Sequence, residues 1–267
     1  MSDGASEFAR AFEVRMGIEV QRLQPGITDV VMNIPPVNAL DVASWFGLAD
    51  ALLSAGRDPE TRVVVLRSEG RGFCAGVDIK EIQARGDEAL VGVNRGCAAA
   101  FAAVYDCEVP VVAAVNGFCL GGGIGLIGNA DIIVASEDAT FGLPEVDRGA
   151  LGAATHLARL VPQHRMRSMV YTAGTATAAE LQHYGSILEV VRSEELVERA
   201  HGVAALISAK SPTIIRRAKE SLNGIDPVDV KRSYRFEQGF TYELHVSGVA
   251  DEQRAAFVEK RDADTTR

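Results

Sequence analysis

Two glycine-rich segments, each lying between an apolar run and a predicted helix, constrain this chain most. The segment "NGFCLGGGIGL" (116–126) contains five glycines and follows the apolar run 111–115. The segment "SEGRGFCAGVDIKEI" (68–82) has the same arrangement after the apolar run 63–66. Because helix N-termini leave N–H groups without intrahelical partners, two such turns side by side could bind one oxygen that becomes anionic. The alternative for either segment alone is that its glycines only permit tight helix–strand packing.

The rest of the chain repeats the order strand, strand, helix and then becomes entirely helical. Apolar runs, typical of strands, predict strands at 18–23, 30–34, 62–68, 111–115, 131–136 and 187–191. Helical spacing after Trp45 ends at Gly56, and further helices are expected from Asp78 and at 121–129. Beyond Glu194 the predicted helices are 194–209, 212–223, 227–246 and 249–260. We therefore expect an α/β core of repeated ββα units at 13–200, a helical C-terminal region at 201–267 and a mobile tail at 1–12.

Charge and cysteine usage exclude several classes of protein. With 27 basic and 36 acidic residues the formal charge is -9, which argues against nucleic acid or an anionic membrane as the main partner. The four cysteines have neither zinc spacing nor a CxxC pair, so we expect reduced, buried thiols. No stretch approaches the ~20 apolar residues of a membrane span, and we expect a cytoplasmic protein.

Five sequence blocks resemble the crotonase superfamily, the enoyl-CoA hydratases and isomerases. In chain order they are "PPVNAL" (35–40), "GRGFCAGVDIKEI" (70–82), "VPVVAAVNGFCLGGGIGL" (109–126), "DIIVASEDATFGLPEV" (131–146) and "AAFVEKR" (255–261). The resemblance extends over about 17–261. It implies an α/β crotonase-like spiral of repeated ββα units, with a C-terminal helical trimerisation region. The assembly would be a homotrimer, or a hexamer made as a dimer of trimers.

The resemblance also implies an active site for a CoA thioester. Two peptide N–H groups, those of Ala75 and Gly122, would hold the thioester oxygen as an enolate. Glu145, in "FGLPE", would be the acid–base residue. Hydratases of the family carry a second glutamate two residues after the glycine triplet, and this chain has Gly125 there. It therefore resembles the one-glutamate members, because a single carboxylate can move a proton at carbon or activate a water molecule.

Further residues are assigned to substrate binding by the resemblance alone. The loop 73–79 would receive the adenine and pantetheine of CoA, and Lys260 would reach the ligand of a neighbouring subunit. Ordinary solvated charge is the alternative for Lys260 and for Lys80. CoA enters as part of the substrate, so no separate cofactor and no metal site are expected. The expected substrate-binding set is Val37, Ala39, Gly76, Asp78, Ile79, Phe118, Gly121, Pro144 and Lys260.

Several side chains could assist Glu145 or be purely structural. Asp147 lies two residues after Glu145 and could share proton transfer, although a solvated or ion-paired carboxylate is the alternative. Asp131 is expected to be structural, His156 to lie in the core, and Cys119 to pack behind the glycine turn. Three tyrosines could donate a proton, and the sequence does not rank them: Tyr105, Tyr234 and Tyr242.

The reaction itself is less constrained than the family. The stretch "FGLPEVDRGALGAATHLARLVPQHRMR" (141–167) resembles actinobacterial members that open a ring in steroid breakdown. These hydrolyse a carbon–carbon bond β to a ketone in a cyclic CoA thioester, and we prefer this reaction to enoyl-CoA hydration or double-bond isomerisation. A non-catalytic acyl-CoA-binding protein is an alternative, prompted by Gly125. A dinucleotide-binding protein is another, prompted by "GIGLIG" (123–128), although this motif does not directly follow the strand end.

Overall fold

The structure, a computed structural model, describes residues 11–15 as backbone and residues 17–263 with their side chains. Its strands, in chain order, are β1 Ala11–Arg15, β2 Ile18–Gln24, β3 Ile27–Met32, β4 Ala39–Leu40, β5 Val63–Ser68, β6 Gly76–Val77, β7 Val111–Val115, β8 Phe118–Leu120, β9 Ile132–Ser136, β10 Thr140–Gly142, β11 Thr175–Thr177 and β12 Glu189–Val191. Its α-helices are α1 Val42–Arg57, α2 Ile79–Arg85, α3 Asp87–Tyr105, α4 Gly122–Ile127, α5 Ala154–Leu157, α6 Gln163–Thr172, α7 Ala178–His183, α8 Leu196–Ser208, α9 Pro212–Gly224, α10 Val230–Val246 and α11 Val249–Glu259. Two 3-10 helices cover Pro144–Arg148 and Ser193–Glu195.

The strands form one large sheet and two small ones. The large sheet has the order β1-β2-β3-β5-β7-β9-β12, antiparallel from β1 to β3 and parallel from β3 onwards. The small sheets are β11-β10-β8 and β4-β6. A parallel bridge between Cys74 and Cys119 links the two glycine-rich segments. Each ββα unit therefore supplies a long strand to the large sheet and a short strand to the layer that carries the glycines.

Both faces of the large sheet are buried. On one face Met32 and Leu66 belong to a core cluster with Trp45 of α1. On the other, Val65 belongs to a second cluster with Ala204 of α8. This two-sided burial explains the continuous apolar runs. Because α8 packs on the sheet, the boundary expected between residues 200 and 201 falls inside a helix of the core.

Most predicted elements occur with shifted ends. The four C-terminal helices are confirmed within about three residues, whereas β3 begins at Ile27, three residues earlier than expected. Helix α3 and the small strands β8, β10 and β11 were not predicted. Strand β1 begins at Ala11, so the last two residues of the expected mobile tail, 11 and 12, belong to a strand. The remainder of that tail, 1–10, lies outside the described residues.

Candidate active site

The two glycine segments meet, and their contact brings Gly76 against the start of α4. A Cβ atom added to Gly76 would lie 3.3 Å from the Gly122 nitrogen and 3.6 Å from the Gly121 Cα. Gly121 is the N-cap of α4 with a φ of 55°, and Gly122 is its first residue. The Gly122 N–H therefore has no partner within its own helix. It is therefore free of its helix and available to a ligand, which is the role that the resemblance implies for it.

The second expected donor, Ala75, needs correction. Its N–H already donates to the Asn38 carbonyl oxygen at 3.1 Å. In the parallel β4–β6 ladder Leu40 lies opposite Val77, and the Asp78 N–H donates to the Leu40 carbonyl at 2.9 Å. Because only alternate residues of a strand bond to the same neighbouring strand, the Val77 N–H points away from β4. Val77 directly follows Gly76, which touches α4, so the N–H of Val77 rather than that of Ala75 accompanies the N–H of Gly122.

Glu145 lies beside this pair of donors, in the 3-10 helix Pro144–Arg148. A Cβ atom on Gly121 would lie only 2.7 Å from Glu145 Oε1. Although the residue as a whole is half-buried, Oε2 is fully buried and has no hydrogen-bond partner among the described residues. Burial raises the pKa of Glu145 from its ordinary value of 4.5 to about 8, against weaker opposing effects of a backbone hydrogen bond and of Arg148. Such a value suits a group that gives and takes protons near neutral pH.

An aromatic cluster occupies the position of the missing second glutamate. A Cβ atom on Gly125 would lie 2.2 Å from Cζ of Phe101. The Phe101 ring packs edge-to-face on Trp45 and on His156, and it contacts Tyr234 with ring centroids 4.9 Å apart. A longer side chain at position 125 would have to displace this buried ring. The packing of Phe101 in the core therefore leaves no room for a glutamate at position 125.

The other glycines of the segment are also crowded by protein atoms. A Cβ atom would lie 2.1 Å from the Arg71 carbonyl oxygen at Gly117, 2.7 Å from Trp45 Cη2 at Gly122 and 3.0 Å from Cys119 Sγ at Gly123. Tight packing thus explains much of the glycine content, together with access to the Gly122 N–H. It also contradicts the dinucleotide-binding alternative, because no pyrophosphate can approach glycines that are covered by Cys119 and Phe101. Cys119 packs behind the turn as predicted, and all four cysteines are buried and unpaired, as predicted.

Most residues expected to bind substrate surround these two turns. Ala39 pairs with Gly76, the Asp78 side chain accepts from the Lys80 N–H as the N-cap of α2, and the Phe118 ring covers Gly72. Half-buried side chains are found at Val37, Ile79, Phe118 and Pro144. Lys260 is exposed at the end of α11, and Lys80 is also exposed. Their roles toward CoA remain predictions.

The other candidates for proton transfer differ in exposure and in hydrogen-bond partners. Asp147 is exposed, and Asp131 forms an ion pair with buried Lys219 at 2.6 Å, which fits a structural role. His156 is 1% exposed, and burial lowers its pKa to about 3, so it is an uncharged core residue as expected. Tyr105 donates to the Asn223 carbonyl, whereas Tyr234 belongs to the aromatic cluster.

Asn38 is a site residue that the sequence analysis missed. Its amide nitrogen donates to the carbonyl oxygens of Glu69 and Gly72 at 2.8 and 2.9 Å, and its Oδ1 accepts from the Ile34 N–H at 2.8 Å. Its own carbonyl accepts from Ala75. Asn38 therefore holds the loop 69–75 at three points: its side-chain amide bonds to Glu69 and Gly72, and its backbone carbonyl bonds to Ala75. Its place inside "PPVNAL" was visible, but the loop contacts 31 to 34 residues away in sequence were not.

The described part of the chain has neither a metal-binding cluster nor a membrane-spanning helix. No group of three or more His, Cys, Asp and Glu side chains there is arranged to hold a metal ion. Likewise, none of the helices described is long and apolar enough to cross a membrane.

Comparison with known proteins agrees with this geometry. The family model for enoyl-CoA hydratase/isomerase matches residues 22–266. A "(7aS)-7a-methyl-1,5-dioxo-2,3,5,6,7,7a-hexahydro-1H-indene-carboxyl-CoA hydrolase" of Rhodococcus jostii is 67% identical over 91% of this chain and 95% of its own. The protein of the same name from Mycobacterium tuberculosis is 63% identical over 89% of this chain and 96% of its own.

Solved structures agree as well. The carnitinyl-CoA hydratase of Mycobacterium avium superposes with a TM-score of 0.81 at 30% identity, covering 95% of this chain and 99% of its own. An enoyl-CoA hydratase/isomerase of Pseudoalteromonas atlantica superposes with a TM-score of 0.83 at 26% identity, covering 94% and 100%. The predicted crotonase-like fold is therefore confirmed. The chain belongs to the enoyl-CoA hydratase/isomerase family of the crotonase superfamily, and it is an enzyme of that family.

Proposed function

We propose that this enzyme opens a ring of a cyclic β-keto acyl-CoA, of the kind formed in steroid breakdown, by hydrolysing a carbon–carbon bond. The observation that carries the proposal concerns Glu145: its buried Oε2 has no hydrogen-bond partner among the described residues, and its Oε1 lies against Gly121, next to the Gly122 N–H. The names of the two relatives at 63% and 67% identity, both hydrolases of an indene-carboxyl-CoA, support the same substrate class.

The reaction can be written with one carboxylate. Glu145 takes a proton from water, and the hydroxide adds to the ring ketone. The carbon–carbon bond then breaks, its electron pair becomes the enolate of the thioester, and the ketone carbon becomes a carboxylic acid. The Val77 and Gly122 N–H groups stabilise the enolate oxygen, an effect that typically contributes roughly 100- to 1000-fold in rate for each donor. Glu145 finally returns its proton to the enolate carbon.

The lack of a carboxylate at position 125 favours this reaction over hydration with two acid–base groups. Phe101 fills the space behind Gly125, so no second carboxylate reaches the site from α4. Hydration and isomerisation by Glu145 alone are the alternative reactions, and their products differ from those of ring hydrolysis.

We also propose that the enzyme assembles as a trimer, or as a hexamer of paired trimers. The C-terminal helices carry exposed apolar side chains, among them Phe236 at 70% and Val246 at 85% exposure, and Phe236 stacks edge-to-face on Phe240. A surface of this kind is typical of an interface. Sedimentation at micromolar concentration tests the proposal, and a monomer would contradict it.

Turnover of the cyclic β-keto indene-carboxyl-CoA in ¹⁸O-labelled water tests the reaction. Ring hydrolysis places one label in a new carboxylate, hydration places it in an alcohol, and isomerisation leaves the mass unchanged. Mass spectrometry and NMR distinguish the three products. An alcohol or an isomer as the product would refute ring hydrolysis, and no turnover of any CoA thioester would leave a binding protein.

Matched variants test the role of Glu145. Glu145→Gln keeps the shape of the side chain but removes the base, so we expect turnover to fall about 100- to 10,000-fold. Affinity for the CoA thioester should change by less than about tenfold, roughly 1.4 kcal/mol. Asp147→Asn is the control, because Asp147 is exposed, and it should retain turnover. Near-native turnover of Glu145→Gln together with an inactive Asp147→Asn would reverse the assignment.

A further inference from the structure

The loop that follows Glu145 includes one non-glycine residue, Ala153, in a left-handed backbone conformation. It joins the 3-10 helix to α5 and contains three residues with positive φ: Gly149 at 65°, Gly152 at 154° and Ala153 at 58°. Ala153 is the N-cap of α5 and provides no side-chain hydrogen bond to the helix. The Ala150 N–H donates to the Glu145 carbonyl at 3.0 Å, so movement of the loop is transmitted to Glu145. Such a loop needs support from elsewhere.

Helix α10 supplies that support through two side chains one turn apart. Thr241 Oγ1 accepts from the Leu151 N–H at 3.1 Å and donates to the Leu151 carbonyl. Glu237 accepts from the Ala154 N–H at 2.8 Å, from the Thr155 N–H at 2.6 Å and from the Thr155 hydroxyl. Glu237 thus provides the N-terminal cap that α5 lacks in its own sequence.

Glu237 also acts on Glu145 through its charge. It is half-buried, and burial raises its pKa, while its three hydrogen bonds favour the ionised form. The negative charge of Glu237 adds to the burial that raises the pKa of Glu145, and the Arg148 guanidinium opposes it. Arg148 is itself held by the Pro144 carbonyl at 2.9 Å and lies over the Phe257 ring of α11.

We propose that Glu237 and Thr241 are positioning residues for Glu145, and that through them each subunit's own helix α10 is part of its catalytic apparatus. Neither residue was expected from the sequence to have such a role, although Tyr234 and Tyr242 of the same helix were candidate proton donors. The inference rests on the proposed function of Glu145 as the base. It does not depend on which CoA thioester the enzyme uses.

Two pairs of variants test the positioning role on the whole chain with the substrate proposed above. Thr241→Val removes both hydrogen bonds to Leu151 at nearly constant volume, and Thr241→Ser restores them. We expect kcat to fall about 10- to 100-fold in Thr241→Val with KM changed less than about twofold, because small displacements of a catalytic group cost rate more than binding. Thr241→Ser should be within about twofold of the native kcat.

The charge of Glu237 gives a second, independent readout. Glu237→Gln replaces one of the two accepting oxygens by an NH2 group, which cannot accept from an α5 N–H, and it removes the negative charge. We expect kcat to fall about 10-fold or more. The acid limb of kcat/KM should also move to lower pH, because Glu145 then ionises more easily. Thr241→Val should leave that limb in place. Glu243→Gln, an identical change at an exposed position of α10, is the control and should match the native enzyme in both respects.

The outcomes separate the two proposals. If the native enzyme turns over substrate and Glu145→Gln does not, while Glu237→Gln and Thr241→Val keep native kcat, the positioning role is refuted and the function stands. The positioning role is also refuted by a second pair of results. In that case Thr241→Ser and Thr241→Val lose kcat equally, and Glu237→Gln loses kcat while the acid limb of its kcat/KM profile stays at the native pH. Thermal unfolding and thioester affinity are measured for every variant, and should Glu237→Gln not fold, the Thr241 pair decides. If Glu145→Gln remains active, the proposed function itself fails.

Discussion

Replacing Glu145 by glutamine should change how the stability of the protein depends on pH. The pKa of Glu145 is about 8 in the folded protein, against an ordinary 4.5 that we take for the unfolded chain. Between these values the folded state keeps a proton that the unfolded state releases. The raised pKa therefore contributes stability that is fully present below about pH 4.5 and is lost as the pH rises through 8. Glutamine has no such dependence.

The magnitude follows from the width of that window. Each pH unit inside it lowers the free energy of unfolding of the native protein by about 1.4 kcal/mol relative to Glu145→Gln. From about pH 5 to about pH 7 the relative loss should approach 3 kcal/mol, a large fraction of the roughly 5–15 kcal/mol that stabilises a domain. Glutamine preserves the volume of the side chain, so packing against Gly121 contributes little to the difference.

Urea unfolding of both proteins at several pH values measures this difference. Protein concentration must be equal throughout, because assembly would make apparent stability depend on it. Asp147→Asn is the control and should follow the native protein at every pH, since its carboxylate is exposed. A difference between native protein and Glu145→Gln that is constant from about pH 5 to about pH 8 would refute the claim that the folded site holds an uncharged carboxyl.

Three further outcomes are expected. Gly125→Ala should lower the free energy of unfolding by about 2–3 kcal/mol by overpacking against Phe101, and combining it with Phe101→Leu should recover part of the loss in a double-mutant cycle. Gly117→Ala should cost at least about 3 kcal/mol in urea unfolding, because its Cβ atom would lie 2.1 Å from the rigid Arg71 carbonyl at a φ of 58°. The acid limb of kcat/KM should have its midpoint near 8, the pKa of Glu145, and should move little with added salt; a midpoint near 4.5, the ordinary value, would contradict the burial of this carboxyl.

The sequence predicted those elements that have a continuous apolar run or clear signals at their ends. The strands of the large sheet are covered on both faces and read as continuous apolar runs, and Pro212 and Gly224 mark the ends of α9. Helix α3 was not predicted, although it is the longest helix described. It is rich in alanine and glycine and is buried around much of its circumference, with Gly96 against Trp45, so it lacks a clear polar face.

The site was predicted as a set of residues but not as a set of hydrogen bonds. The position of Glu145 and the contact between the glycine turns followed from the resemblance and from the order of elements. The choice between Ala75 and Val77 depends on the register of the two-residue ladder between β4 and β6, and a shift of one residue reverses the direction of every N–H. The residues of "CAGVDI" do not indicate which of their backbone N–H groups donates to the Asn38 carbonyl.

Position 125 shows why one carboxylate can suffice in this site. A second glutamate there would add a like charge, which raises a neighbour's pKa. Here Phe101 occupies that space and packs on Trp45, whose ring edge lies behind Gly122. The leading cause of the raised pKa of Glu145 is accordingly burial, with the charge of Glu237 a smaller contribution. Burial acts on the single carboxyl whatever the ionic strength, so the site keeps a base active near pH 8 without a second acid–base residue to share its proton.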